Sequence, residues 1–515
     1  PAFCANQTLF INGYFSNVRS SVFRSLQAFN FMARYTRWTF FFAILIGAAG
    51  VRFWRLTSLP PGFHLDESFE GLGAWQILTD SSYRPIFITG YANALALNSY
   101  INALMFGLFQ LLGGEAGPLA MRVTAASFGV LGIAVLYGLA SELQKLTKSN
   151  LSIAFPFFAA ASLALMRWHI HFSRIGIEPI YVPLIWTGAL WLLLRGWRTG
   201  GWLSFAGCGI LVAMSLYAYL AAWIIPFLIL PCALLLLLPH TEPGSSTSRL
   251  RHFRSIWTAF RTRQGVGLLI ALLVACLCAL PFILYTWHNY DTVILRSSQV
   301  VAQGGTDSSE PDSTVWRSIS QTVLMYAPIA GFGDGHTRRN IPREPLLNLW
   351  QSIVFYLGLM LALWRLRRPG YAMILIGLIG LLLPGALSNN APHFHRTLGA
   401  AAPTALLCAI GLDWIWQWRR IKAAQGPRPN NAQQPWINLR RWALGLGQFS
   451  WISLLLLGLG GVTSIHDYFV RWARLPDIYY AFDTGLWPLG QDLAQVPAAQ
   501  PIYLTPRDTV YPTLA

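Results

Sequence analysis

The chain has 515 residues, 54% of them hydrophobic and only 11% charged, with 22 Trp and 31 Phe. Apolar runs near 20 residues recur throughout, which excludes a soluble globular protein and implies an all-α polytopic membrane protein. A formal charge of +17 would suggest nucleic acid in a soluble chain, but in a membrane protein the placement of the charges has to be read first.

Residues 1–37 are basic and carry Phe15, Val18, Val22, Phe23, Leu26 and Phe29, the pattern of a cytoplasmic amphipathic segment lying on an anionic leaflet. The segments expected to span are 38–56, 123–141, 151–167, 177–194, 202–219, 221–238, 266–287, 346–364, 371–387, 398–416 and 442–462, eleven in all. The stretch 94–112 is also apolar, but Asn98, Asn102 and Gln110 interrupt it. If it does not span, the loops holding Lys145 and Lys148, Arg195 and Arg198, Arg249 to Arg263, Arg365 to Arg368, and Arg419 to Arg441 share a side with the basic N-terminus. That side then carries 22 of the 37 Lys and Arg with three acids, leaving 15 basic and 17 acidic residues elsewhere. The positive-inside rule therefore predicts an internal N-terminus, an external C-terminus and a 94–112 helix lying in the first outer loop. It also makes the basic excess a topology signal, with no nucleic-acid partner.

Two outer loops, 57–122 and 288–345, exceed the ~15 residues beyond which loops tend to carry function. The second holds a polar tract from Gly304 to Asp312 and then Gly333-Asp334-Gly335-His336-Thr337-Arg338-Arg339-Asn340. The six cysteines lie mostly inside apolar runs with no paired CxxC motifs, so they suggest neither a zinc site nor a disulfide framework. Residues 38–465 are expected to form one transmembrane domain. The less apolar 466–515 is read as an extracytoplasmic segment, with Pro501 to Thr505 strand-like; either it begins a small soluble domain continuing past Ala515 or it drapes over the membrane face.

Acid first appears at Asp66-Glu67, in Pro60-Pro61-Gly62-Phe63-His64-Leu65-Asp66-Glu67. Pro60, Pro61 and Gly62 stop the first span, and two carboxylates follow on the first turn of a new helix-like segment. Carboxylates beside a bilayer are costly unless they face water or a site. They also suit the N-terminus of any helix, so a capping role stands beside a functional one. The same face collects Arg122, His169, His171, Arg174, Glu178, Tyr217, Tyr219, His393, His395 and Arg396. Each has a plainer reading: Arg122 as a snorkelling anchor, the histidines as interfacial, Tyr217 and Tyr219 as aromatic-belt residues.

The order of these parts resembles the GT-C superfamily of membrane glycosyltransferases, nearest to bacterial relatives of the dolichyl-phosphate-mannose protein mannosyltransferases and the undecaprenyl-phosphate-sugar-dependent transferases. The resemblance rests on Pro-Pro-Gly-x-x-x-Asp-Glu after the first span, Ala120-Met121-Arg122 opening the second, and Trp168-His169-Ile170-His171-Phe172-Ser173-Arg174 after the third. Ser215-Leu216-Tyr217-Ala218-Tyr219 and Ala391-Pro392-His393-Phe394-His395-Arg396 complete it, and it covers residues 38–490. It implies transfer of a sugar from a polyprenyl-phosphate donor to a protein, lipid or glycan acceptor, with inversion, at the extracytoplasmic face of the cell membrane. It further implies Asp66 and Glu67 as catalytic carboxylates, with Arg174, Arg396, Arg122, His393 and His395 at the donor phosphate. His64, Glu178, Tyr217 and Tyr219 fall to the acceptor or sugar. Glu178 stands where mannosyltransferase relatives often carry Asp, so no metal ligand set or other cofactor is assigned, and divalent-metal use is unsupported. Membrane lipids are the other expected partners. The spans' near freedom from charge argues against a lipid or solute transporter, while a non-catalytic subunit of a larger complex with the same fold remains the alternative.

Overall fold

The computed structural model describes residues 36–90, 94–147, 150–237, 262–293, 311–388, 390–425, 450–497, 500 and 513. The N-terminal amphipathic segment up to 35, the polar tract 304–310 and the strand-like 501–505 lie outside the described residues. The chain divides into two compact units, Pro1–Gly47 and Ala48–Ala515, and all that follows concerns the second unless stated.

Helix α1 (36–53) ends in turns that lead to Pro60. The first long loop contains α2 (Leu65–Thr79), a two-residue antiparallel ribbon of β1 (Phe87–Ile88) and β2 (Ala94–Leu95), and α3 (Leu97–Leu111). In this ribbon Phe87 faces Leu95 and Ile88 faces Ala94. At 15 residues α3 is about 22 Å long. It packs on α2 with Asn98, Ser99 and Asn102 buried, so the polar residues that interrupt its sequence face protein.

The helices that follow are α4 (Pro118–Leu146), α5 (Phe155–Ala164), α6 (Arg167–Phe172), α7 (Tyr181–Thr199), α8 (Trp202–Ala218), α9 (Ile225–Leu237) and α10 (Arg263–His288). Beyond them come α11 (Pro311–Leu324), α12 (Leu349–Trp364), α13 (Pro369–Ala386), α14 (Ala401–Gln425) and α15 (Ser450–His466), then the short α16 (Ile478–Ala481) and α17 (Leu486–Leu493). Proline in the first turn starts α4, α5 and α13, where its missing N–H costs nothing. Gly200, at φ 70°, closes α7 in a left-handed C-cap and turns the chain directly into α8.

Among the described residues seven helical segments are long and apolar enough to cross a membrane, with α5, α8 and α12 as shorter apolar helices. Helix α1, over the expected 38–56, is in neither group, and 151–167 also differs. Of 151–167 only the 10-residue α5 is regular; Met166 is extended, and the carbonyls of Leu163 and Ala164 are taken by the buried guanidinium of Arg52 at 3.5 and 3.1 Å. The core is built by α4 against α5 and α7, α7 against α8, α8 against α10, and α14 against α5 and α12. Where α12 crosses α14, a Cβ on Gly358 would come within 1.8 Å of the Leu407 carbonyl oxygen and one on Gly411 within 2.1 Å of that of Val354. Backbone contact of this kind replaces the hydrophobic drive that helices lack in lipid.

Candidate active site

The site starts at the α2 N-terminus. His64 is the N-cap, its Nδ1 accepting the Asp66 N–H at 2.9 Å, while the Glu67 carboxylate reaches back to the His64 N–H at 3.3 Å. This is a capping box with histidine in place of Ser or Thr. It turns the two adjacent carboxylates in different directions. Glu67 is fully buried and accepts from Arg122 Nε and Nη2, both at 3.2 Å, and from the Gly176 N–H at 2.8 Å. Asp66 keeps a side chain 31% exposed and accepts from Arg338 Nη1 at 2.9 Å. Of the pair, Asp66 is the one that faces the open site.

Three of the expected site residues have their hydrogen-bonding groups engaged by the protein itself. Arg122 is 2% exposed and spends its donors on Glu67 and on the carbonyls of Pro60 and Gly62, at 2.7 and 2.6 Å, so it braces the turn before α2 rather than reaching a phosphate. Arg174 is wholly buried and donates to the carbonyls of Val51, Arg52 and Leu59 and to the Tyr468 hydroxyl. It caps the C-terminus of α1, a usual place for arginine. Tyr217 donates its hydroxyl to the Cys278 carbonyl at 2.9 Å and accepts the Phe282 N–H at 3.1 Å, joining α8 to α10 beside the break at Pro281. None of the three lines the site.

Their place is taken by arginines from the second outer loop. Residues 334–345 are fixed from below: Arg167 donates to the Pro345 carbonyl and to Asn340, His171 Nε2 to the Arg338 carbonyl at 2.6 Å, and Trp472 Nε1 to the Thr337 carbonyl at 2.8 Å. Asp334 binds this loop to the 391–397 loop by accepting the Phe394 N–H at 2.9 Å, and its carboxylate lies 3.2 Å from Arg339. The peptide bonds before Pro60 and Pro392, one in each site loop, are cis. With their backbones pinned, Arg338 and Arg339 converge with Arg396, His393 and His395. The two histidine rings are 5.8 Å apart, and His395 stacks on Tyr219 at 5.4 Å and on Phe172 at 5.7 Å.

Burial holds His393 and His395 well below the ordinary imidazole range, and the neighbouring arginines push further in the same direction. His336 falls to about 4, from burial first and then Arg339 and Arg338. These histidines are neutral at pH 7, so the positive charge of the basket belongs to its three arginines. Two buried polar atoms in it have no hydrogen-bond partner: Nε2 of His395 and Nε of Arg339, which lies near Asp334 but off its line.

Glu178 opens a short 3-10 turn and pairs with Glu70. Burial, and next the Glu178 carboxylate with which it shares a hydrogen bond, raises Glu70 well above the usual carboxylate range. Asn98 donates to Glu70 and to the Gly176 carbonyl, and Tyr181 donates to Asn98. The structure thus brings together Asp66, His64, Arg396, His393, His395 and Tyr219, with Glu178 in an adjoining polar network. Sequence reasoning assigned no role to Arg338 and Arg339; the doublet in a polar outer loop was their only signal. Among the described residues no three of His, Cys, Asp and Glu come together as a metal ligand set.

No protein-family model and no curated protein matches the sequence. Solved structures do match it. ArnT from Cupriavidus metallidurans in the apo state aligns over 94% of this chain and 84% of its own at 15% identity with a TM-score of 0.53. The same protein bound to undecaprenyl phosphate aligns over 93% and 84% at 14% identity, TM-score 0.52. The Archaeoglobus fulgidus oligosaccharyltransferase tethered to an acceptor peptide aligns over 90% and 58% at 14% identity, TM-score 0.51. This chain spans 53 to 62% of the length of the oligosaccharyltransferase structures it matches. The chain has the fold of these GT-C membrane glycosyltransferases.

Proposed function

We propose that the protein is an integral-membrane glycosyltransferase that moves a sugar from a polyprenyl-phosphate donor to an acceptor hydroxyl or amide, with inversion, at the extracytoplasmic face of the cell membrane. The observation that carries this reading is the meeting of a partly exposed carboxylate, Asp66, which Arg338 holds at 2.9 Å, with a basket of three arginines, Arg338, Arg339 and Arg396. Guanidinium forks match phosphate oxygens, and the neutral histidines add hydrogen-bonding atoms without more charge.

In the proposed reaction Asp66 takes the proton of the acceptor O–H or N–H as the acceptor atom forms its bond to the anomeric carbon. The anomeric C–O bond to phosphate breaks, and the electron pair leaves with the phosphate into Arg338, Arg339 and Arg396. The exposed Asp66 then loses the proton to water. Glu67 works at one remove, by fixing α2 against Arg122 and Gly176. Support for a polyprenyl phosphate as the donor's carrier comes from the likeness to ArnT bound to undecaprenyl phosphate.

The test is Asp66→Asn in purified protein. Asn keeps the size of Asp and can accept the Arg338 hydrogen bond but cannot take a proton at neutral pH. Transfer from undecaprenyl-phosphate hexose or pentose donors is expected to fall roughly 100- to 10,000-fold, while undecaprenyl phosphate still binds. Transfer at the parent rate would remove Asp66 as the base.

A further inference from the structure

The chain beyond the last long helix does more than drape over the membrane face. Asp483, from the turn between α16 and α17, accepts the Leu65 N–H through Oδ2 at 3.3 Å, across 418 residues of sequence. Leu65 is the first residue of α2, so this side chain supplies a hydrogen-bond acceptor to an N–H that the helix cannot satisfy. Asp483 holds a positive φ of 47°, an uncommon conformation for a residue with a side chain.

Contacts on either side press the same segment onto the same turn. Gly62 has φ +66°, and a Cβ there would come within 2.2 Å of the Phe482 carbonyl oxygen and 2.4 Å of Thr484 Cα. Only glycine allows both that conformation and that approach. Phe63 meets Trp487 edge to face at 5.2 Å, and His64 meets Phe482 at 6.4 Å. The segment also reaches the arginine loop, through Trp472 Nε1 on the Thr337 carbonyl and through Arg471, which binds both Asp467 and Glu344. One short stretch of chain therefore touches both halves of the site, the turn that carries Asp66 and the loop that carries Arg338.

We propose that Asp483 is a positioning residue for Asp66: it fixes the first turn of α2, and the 467–487 segment holds that turn in register with the arginine loop. The proposal rests on the reading of Asp66 as the base. A misplacement of about 1 Å in a reacting group can cost on the order of 100-fold in rate, so a cap at this helix end is felt in turnover before it is felt in donor binding. Asp483→Ala removes the acceptor, and Asp483→Asn keeps an acceptor oxygen without the charge.

The experiment measures both variants in purified full-length protein by hydrogen exchange over 62–70, by binding of undecaprenyl phosphate, and by transfer from undecaprenyl-phosphate hexose and pentose donors. Expected for Asp483→Ala are faster exchange over 62–70 and at least a tenfold loss of transfer rate, with undecaprenyl phosphate affinity within about twofold of the parent; the tenfold is a conservative share of the misplacement penalty. Asp483→Asn should restore exchange protection and most of the rate. Unchanged exchange in the Ala variant overturns the brace, and lost protection with undiminished transfer overturns its positioning role. An Asn variant as impaired as Ala overturns it as well, since charge rather than the cap would then be at work. If the parent transfers from none of the donors, the transferase reading fails, while the exchange result still decides whether Asp483 holds α2.

Discussion

Arg122, Arg174, Arg338, Arg339 and Arg396 all belong to outer-face segments, and nothing in their type separates a phosphate ligand from a backbone brace. What separates them is the supply of carbonyls at helix ends, which only the fold provides. Arg174 finds the end of α1, and Arg338 finds Asp66. The difference predicts opposite phenotypes for one substitution. Arg338→Lys keeps charge but loses the fork; the loss of one charge-assisted hydrogen bond, about 1.5 kcal/mol, corresponds to roughly tenfold weaker binding of undecaprenyl phosphate, with an unchanged melting temperature. Arg174→Lys should bind undecaprenyl phosphate like the parent but melt lower, because carbonyls at 2.6 to 2.9 Å lose their donors inside the protein. Titration of undecaprenyl phosphate together with thermal unfolding separates the two, and weakened binding by the Arg174 variant without loss of stability would return it to the site. The start of a helix carrying Asp66 and Glu67 on its first turn was legible from the stop before it. That Glu67 turns inward and Asp66 stays partly exposed was not, because both lie on one helical turn and only the Arg122 and Gly176 contacts tell them apart.

Among elements, α2 carries the proposed base, and a polar layer that is unusual so near a membrane holds it. Its outward end is fixed by His64 and Asp483, its inner face by Glu67 on Arg122 and by Glu70 on Asn98 and Glu178. The asparagines that make 94–112 look like a flawed span are the partners of this layer, a link across 28 residues from Glu70 to Asn98 that no local pattern contains. Glu70 gives the layer a pH signature. Its proton affinity is raised on folding above the ordinary value of 4.5, so the folded state holds a proton that the unfolded state releases above that pH. The stabilisation is complete below 4.5 and declines as pH rises towards the folded-state value. Thermal unfolding of the parent from pH 5 to 8 should therefore contain a declining component that Glu70→Gln removes, since Gln stays neutral and can still donate to Glu178. The buried histidines act in the opposite sense. His171 at about 3 and His336 at about 4 favour folding above their ordinary value of 6.5 and lose that contribution as pH falls. Their effect is common to the parent and to the Glu70 variant, so it cancels in the difference between the two curves. A difference that stays constant with pH would show that Glu70 ionises in the fold as freely as in the unfolded chain.

For the molecule as a whole, the contacts constrain the topology by parity. Asp66 touches Arg338, Arg167 touches Pro345, Trp168 touches the Phe394 carbonyl, and Asp483 touches Leu65. Segments that meet outside a bilayer must be separated by an even number of crossings. The eleven-segment reading of the sequence satisfies this at every pair: two crossings lie between Asp66 and Trp168, four more before Arg338, two more before Phe394 and two more before Asp483. Counting 94–112 as a crossing would make the first of these odd. The opposite face obeys the same rule, with Glu142 bound to Arg198 and the Ser152 hydroxyl and N–H bound to Asp413. Hydrophobic runs thus carried the helical architecture in the sequence, because lipid leaves the backbone few alternatives. They could not reveal that 151–167 contains only a short regular helix, since apolarity does not record where a buried arginine intercepts the last carbonyls. Which side is outside rests on the distribution of Lys and Arg alone. Single cysteines placed in 57–122 and 288–345, in a cysteine-free background, should react with an impermeant maleimide added to intact cells. Cysteines in 241–264 and 420–440 should react only after the membrane is opened. Labelling of 241–264 in intact cells would invert the orientation and put Asp66 on the cytoplasmic face; labelling of both sets in intact cells would break the parity argument itself, and with it the placement of 94–112 as a helix within the outer loop.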